Sequence, residues 1–428
     1  MIKTPKSLRL QIGLFGRMNV GKSSFLNLMA GQDVAITSPI AGTTTDVVEK
    51  SMELLPLGPV TFLDTAGLDD VSGLSELRLK KTVKIFDRSD VIVLLVEPNI
   101  WTDCESRILE EAKEREIPPI IVVNKIDLRS PTDGFIDQLN ERAGKVLLCS
   151  SLNWKNRDPC LNLFKKYLIE VCPDEFLKPP PLIGDLLPAG GLAVCIVPID
   201  LEAPKGRLIL PQVQAIRETL DHDASVLVVK EREYAHALNK LKISPDIVVC
   251  DSQVVLKMVA DTPTPVKCTT FSILFARNKG DLIEMARGAA VIDTLKPGDK
   301  VLIAEACSHH AIEDDIGSVK IPRWLRQYVG GDLKIEVYSG RDYPENLREY
   351  KLIVHCGGCM LTRREVLARI HMAKEERVPI TNYGMCISFS QGVIQRVLSP
   401  FPAALDALQK EMLKIKPAFS LQYGSKSP

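Results

Sequence analysis

The chain has 428 residues, too many for one ordinary core and enough for about two to four domains at roughly 100–200 residues each. Lys+Arg and Asp+Glu both number 54, so no net field draws the whole chain to nucleic acid or to an anionic membrane. Its 11 cysteines are mostly single residues inside apolar runs, such as Cys149, Cys195 and Cys250, which fits reduced core thiols better than a disulfide framework.

The first apolar run, LRLQIGLFG at 8–16, leads straight into a glycine-rich loop and leaves no room for a signal peptide. No run of about 18 apolar residues follows it, so a cytoplasmic protein with no membrane contact is expected. From there to about residue 170, short β-branched runs alternate with helix-length amphipathic stretches. VTFLDTAG, DVIVLLVEP, PPIIVVNKID and KVLLCSS each end in a polar or glycine-bearing loop, the pattern of an α/β domain with a buried, parallel-type sheet. Functional loops in such a sheet lie at the carboxyl ends of the strands.

The proline-rich stretch CPDEFLKPPPLIGDLLPAGG at 172–191 is the expected linker, giving a first domain over 1–175. LAVCIVPID, SVLVVKE and PDIVVCDS, separated by helical patterns, give a small α/β domain over 182–262. The segment DTPTPVKCTT at 261–270 reads as a second break. A third α/β domain, 265–415, contains KVLIAEA, LKIEVYSG, YKLIVHC and RVPITNYG and is capped by a helical stretch at 398–415.

In GRMNVGKSS at 16–24, the spacing Gly16-x4-Gly21-Lys22-Ser23 follows a strand and opens a helix, as a P-loop requires. Its glycines let backbone N–H groups turn onto phosphates, with Val20 and Ser24 in the same binding loop. Lys22 would bridge the β- and γ-phosphates and Ser23 would ligate Mg2+. DTAG at 64–67 places Asp64 to hold the magnesium and the Gly67 amide to sense the γ-phosphate. AGTTTD at 41–46 supplies a switch threonine, with Thr44 preferred to Thr43 and Thr45. In NKID, Asn124 and Lys125 precede Asp127, whose carboxylate can accept from both N1 and N2 of guanine. Adenine has no such edge, so the nucleotide is GTP. Ser150 and Ser151, in CSS at 149–151, lie where a guanine-contacting loop belongs. Lys22, Thr44, Asp64 and Gly67 are the candidate catalytic residues.

Four of these ordered motifs, GRMNVGKSSFLN, GTTTD, DTAGL and NKID, resemble the GTPases of the tRNA-modification and ribosome-assembly group. The resemblance implies slow intrinsic hydrolysis, because Leu68 stands where Ras-like proteins have a water-orienting glutamine. It also implies a potassium ion held by Asn19, whose plainer reading is a loop-stabilising amide.

Cys307-Ser308-His309 follows one strand-like run, and His355-Cys356-Gly357-Gly358-Cys359 follows another. Both therefore lie at strand ends, where chains of one sheet can converge. Three thiolates form a soft donor set suited to iron–sulfur or zinc. A zinc ribbon more often has two close pairs of ligands, and a thioredoxin-like pair would leave Cys307 unexplained. The favoured reading is a 4Fe-4S cluster with one exchangeable iron. Cys268 and Cys386 read as buried thiols.

The pattern C-x-H, a gap of several dozen residues, then H-C-x-x-C, joined to such a GTPase, resembles the HydF-type FeFe-hydrogenase maturation GTPases along the whole chain. The resemblance implies a scaffold and carrier that holds the diiron precursor of the hydrogenase and delivers it to apo FeFe-hydrogenase. Radical-SAM maturases would be further partners, 182–262 would form a homodimer, and nucleic acid would not be bound. Cys307, Cys356 and Cys359 would carry the cluster. His309 and His355 would either ligate it or donate to a cluster sulfur. The alternative is a tRNA-modification or ribosome-assembly GTPase with a structural zinc site.

Overall fold

In the computed structural model, which describes residues 5–31, 48–64, 76–178, 180–198, 208–306, 315–340, 343–344 and 346–423, the apolar runs become the strands of three sheets. The chain divides into two units, Met1–Pro179 and Pro180–Pro428.

Among the described residues, the first unit holds six strands: β1 (Leu10–Gly16), β2 (Val48–Leu54), β3 (Gly58–Asp64), β4 (Val91–Val96), β5 (Pro119–Val123) and β6 (Val146–Leu148). Their order is β2-β3-β1-β4-β5-β6, parallel throughout except that β2 runs antiparallel to β3. The central strands are apolar on both faces because both are covered. Leu10, Ile12 and Leu14 of β1 and Val91, Val93 and Leu95 of β4 pack with Phe25, Leu28 and Phe164. The alternate residues Ile92, Leu94 and Val96 pack on the other face with Ile85, Phe86 and Leu139. The strand β2 gave no apolar run because its Glu49, Lys50, Ser51 and Glu53 belong to an edge strand.

Among its described residues the second unit holds two all-parallel sheets of four strands. One contains β7 (Leu192–Ile196), β8 (Ser225–Val229), β9 (Ile247–Cys250) and β10 (Lys267–Thr270), in the order β10-β9-β7-β8. The other contains β11 (Lys300–Ala304), β12 (Lys334–Tyr338), β13 (Leu352–His355) and β14 (Ile380–Asn382), in the order β12-β11-β13-β14. One continuous hydrophobic core serves both. The segment read as a break at 261–270 thus contains a strand of the first of these sheets, which extends beyond the expected limit at 262. β10 escaped notice because it is four residues long, rich in threonine and preceded by two prolines.

Gly288, in helix Leu282–Ala290, shows how closely that helix approaches the sheet: a Cβ there would lie 2.0 Å from the Ile380 carbonyl oxygen of β14. Backbone on both sides leaves no flexible group to yield. Gly288→Ala is expected to destabilise the second unit by about 1–3 kcal/mol or more, as overpacking does. Urea unfolding followed by far-ultraviolet circular dichroism would show this as a lower midpoint for that unit.

Candidate functional site

The glycine-rich loop leaves β1 at the point where the strand order reverses, with β3 on one side and β4 on the other. Its backbone takes left-handed or otherwise glycine-favouring angles at Gly16 (φ +144°), Asn19 (φ +61°) and Gly21 (φ +99°). Gly21 is the N-cap of helix Lys22–Ala30, so the first amides of that helix open toward the loop. Lys22 is 6% exposed and donates to the carbonyls of Gly16 (2.8 Å) and Arg17 (3.1 Å), which holds its ammonium across the loop. Asn19 and Ser23 are exposed, Ser24 is half-buried and Val20 is buried. Asp64 ends β3 with its side chain buried, in register with Leu14 of β1. Thr44 and Gly67 lie outside the described residues, as does Leu68.

NKID follows β5. The carboxamide of Asn124, 1% exposed, donates from Nδ2 to the Val20 carbonyl (2.8 Å) and accepts at Oδ1 from the Ser151 amide (3.1 Å) and hydroxyl (2.8 Å). It ties the phosphate loop to the loop after β6. A Cβ at Gly21 would lie 2.3 Å from Asn124 Nδ2, so this junction also demands the glycine. Asp127 is exposed. Ser150 Oγ is buried with no hydrogen-bond partner among the described residues.

Three residues that the motifs did not single out brace this site. Glu97, just after β4, bonds Lys125 Nζ (2.5 Å) and lies 3.8 Å from Arg17 Nη2. Arg17 Nε donates to Glu105 (2.7 Å), whose side chain is fully buried. The other oxygen of Glu105 accepts from the Thr102 amide (2.8 Å), closing the cap of helix Asp103–Glu114. Thr102-x-x-Glu105 was readable as a capping box. Its second task, holding the phosphate loop through Arg17, has no sequence signature.

In the second unit, β11 and β13 are neighbours with Ala304 in register with His355, again where the strand order reverses. Cys307 and His309 lie outside the described residues. The chain leading to Cys307 nevertheless reaches Cys356: the Ala306 amide donates to Cys356 Sγ (3.0 Å), and the Gly358 amide does so at 3.4 Å. Burial pushes the Cys356 thiol up to about 11, while those two N–H donors favour the thiolate. Gly358 has φ +63°, and that left-handed turn brings the chain back toward Cys359, which is also partly buried. Cys268 and Cys386 are fully buried core thiols, as expected.

His355 is fully buried. Its Nδ1 lies 2.6 Å from the Cys356 carbonyl and its Nε2 lies 3.2 Å from Arg369 Nη1. Nδ1 is therefore the protonated nitrogen and Nε2 the acceptor, and both are engaged by the protein. Burial, with Arg369 beside it, pulls the imidazole down to about 3 and keeps it neutral. Here His355 orients the backbone of Cys356 rather than offering a free nitrogen. Among the described residues, no group of three or more His, Cys, Asp and Glu side chains could hold a metal ion.

Losing the Asn124 carboxamide would leave the Val20 carbonyl and the Ser151 groups without their partner, a cost of about 1–3 kcal/mol. Asn124→Ala is expected to weaken guanine-nucleotide binding roughly 5- to 150-fold at 1.4 kcal/mol per decade. Titration with a fluorescent GDP analogue measures it.

Residues 182–280 match the hydrogen maturase F dimerization domain, 283–400 the hydrogen maturase F tetramerization domain, and 11–125 a GTPase domain described as 50S ribosome-binding GTPase. The tRNA modification GTPase MnmE of Synechococcus sp. (strain JA-2-3B'a(2-13)) is 38% identical over 124 residues, 28% of this chain and 26% of that protein. MnmE of Lactobacillus helveticus (strain DPC 4571) is 33% identical over 160 residues, 37% of this chain and 34% of that protein. The chain thus spans a quarter to a third of the length of these curated relatives. The solved structure of a probable GTP-binding protein engB is 21% identical and covers 37% of this chain and 99% of its own, with a TM-score of 0.28. A GTPase domain followed by both hydrogen maturase F domains is the domain set of one family, and the chain belongs to the HydF-type hydrogenase maturation GTPases.

Proposed function

We propose that this chain hydrolyses GTP and carries a 4Fe-4S cluster on Cys307, Cys356 and Cys359, on which the diiron precursor is held before delivery to apo FeFe-hydrogenase. The observation that carries this reading is the Ala306 amide on Cys356 Sγ, which puts the chain entering Cys307 against the CGGC loop in a protein with hydrogen maturase F domains. The donors fit such a group. The thiols are soft, and Cys356 already receives two N–H bonds of the kind that support an anionic sulfur. When bound, the cluster supplies a redox-active centre with one exchangeable iron. Cys356 and Cys359 hold it, and His355 fixes the backbone between them.

In the first unit, the amides after Gly16 and the ammonium of Lys22 receive the phosphates of GTP, while Ser23 and Asp64 hold Mg2+. Asp127 selects guanine through N1 and N2, and the Ser150 hydroxyl, buried with no hydrogen-bond partner among the described residues, is a further candidate in the guanine-contacting loop. Thr44 and Gly67 keep their proposed roles at the γ-phosphate. The exposed, left-handed Asn19 keeps its role as a K+ ligand. The MnmE relatives raise a tRNA-modification role with structural zinc, but the match of 182–280 and 283–400 to hydrogen maturase F domains favours the carrier.

The same domains support oligomerisation. β8 is a sheet-edge strand with half-exposed residues, so pairing across a two-fold axis would cover it. No helix among the described residues is long and apolar enough to cross a membrane. A cytoplasmic setting, with radical-SAM maturases and the apo-hydrogenase as partners and no nucleic acid, completes the reading.

Asp127→Asn is expected to weaken GTP binding and to create affinity for xanthosine triphosphate. ATP competing equally with GTP in the wild type would contradict the guanine assignment. Serine at any one of Cys307, Cys356 or Cys359 is expected to lower bound iron and hydrogenase activation together, with GTP turnover preserved. Undiminished activation by the triple variant, assayed with the other maturases present, would overturn the carrier role.

A further inference from the structure

Lys279 ends helix Phe271–Lys279 and is 2% exposed. Its ammonium donates to three carbonyls of the cysteine loop: Leu361 at 2.7 Å, Cys359 at 3.1 Å and Gly358 at 3.3 Å. The ring of Phe275 lies 5.6 Å away on its own helix. The three N–H bonds are satisfied, but the charge is not. Among the described residues no carboxylate forms an ion pair with Lys279, and the neighbouring Glu365 uses Oε2 to accept from the Thr362 amide (2.9 Å) and hydroxyl (3.2 Å). Carbonyl dipoles can solvate a buried cation without cancelling it, and an uncompensated buried charge is costly. Among the described residues, the other groups close enough to supply negative charge are the thiols of Cys359 and Cys356.

We propose that Lys279 is a charge-compensating positioning residue of the cysteine site, holding the 358–361 loop in shape and raising the electron affinity of an anionic metal–thiolate centre bound there. The inference rests on the carrier reading above. It adds that the cation comes from the segment matching the dimerization domain and the thiols from the segment matching the tetramerization domain. A compact ammonium suits the task because its three N–H groups meet three converging carbonyls one to one.

The full chain, reconstituted anaerobically with iron and sulfide, provides the test, with Lys279→Met, Lys279→Arg and Lys279→Gln as variants. Loaded Lys279→Met is expected to be about tenfold harder to reduce, a fall of ~59 mV for a one-electron couple, and Lys279→Arg to recover much of that shift. An unchanged potential in Lys279→Met at wild-type iron and sulfide content overturns the proposal while leaving the carrier reading intact. If Lys279→Met takes up no cluster, uptake by Lys279→Arg but not Lys279→Gln supports the charge, and equal uptake by the two overturns it. A wild-type chain that takes up no iron and sulfide defeats the carrier reading and this proposal together.

Discussion

A chain leaving a parallel strand must cross over, usually through a helix, before it can rejoin the sheet, and it departs from the carboxyl end of that strand. Where the strand order reverses, two such departures go to opposite sides and leave a crevice between them. The phosphate loop leaves β1 between β3 and β4, and the two cysteine segments leave β11 and β13, neighbours from which the order runs outward to β12 and β14. The phosphate loop and the cysteine loop thus obey one geometric rule in two different sheets. The rule explains why motifs with nothing chemically in common both follow buried β-branched runs.

Crevice loops are short of regular partners, and in both units a single buried side chain from a distant segment supplies them. Asn124 joins the phosphate loop to the loop after β6 through three bonds. Lys279 gathers three carbonyls of the cysteine loop. His355 works on the same loop from the sheet side, between the Cys356 carbonyl and Arg369. Such bracing fixes the loop backbone before any ligand arrives, so less ordering cost falls on binding.

The sequence made some of this legible and hid the rest for physical reasons. The loop geometry at Gly16, Gly21 and Lys22 could be read because a tight turn opening a helix demands particular residue types at short, fixed spacings. The central strands could be read because burial on both faces leaves an unbroken apolar run. β2 and β10 could not, one being a polar edge and the other a short threonine-rich segment behind prolines. Asn124 was expected to contact the nucleotide, and its carboxamide also joins two loops of the protein, a task its motif does not reveal. Lys279, Glu97 and Arg369 lie far in sequence from what they hold, and an isolated charged residue carries no periodic signal. His355 stood in the right motif, yet only the structure shows both its nitrogens engaged.

The carrier role, as the central claim, requires both a guanine-nucleotide loop and a thiolate site for iron and sulfide in one chain. Metal and acid-labile sulfide analysis of the anaerobically isolated full chain, on the same sample assayed for GTP turnover, addresses that claim most directly. Iron and sulfide in equal amounts, with Mössbauer parameters of a 4Fe-4S cluster alongside GTP turnover, is the predicted result. Stoichiometric zinc with no sulfide in a sample that turns over GTP would contradict it.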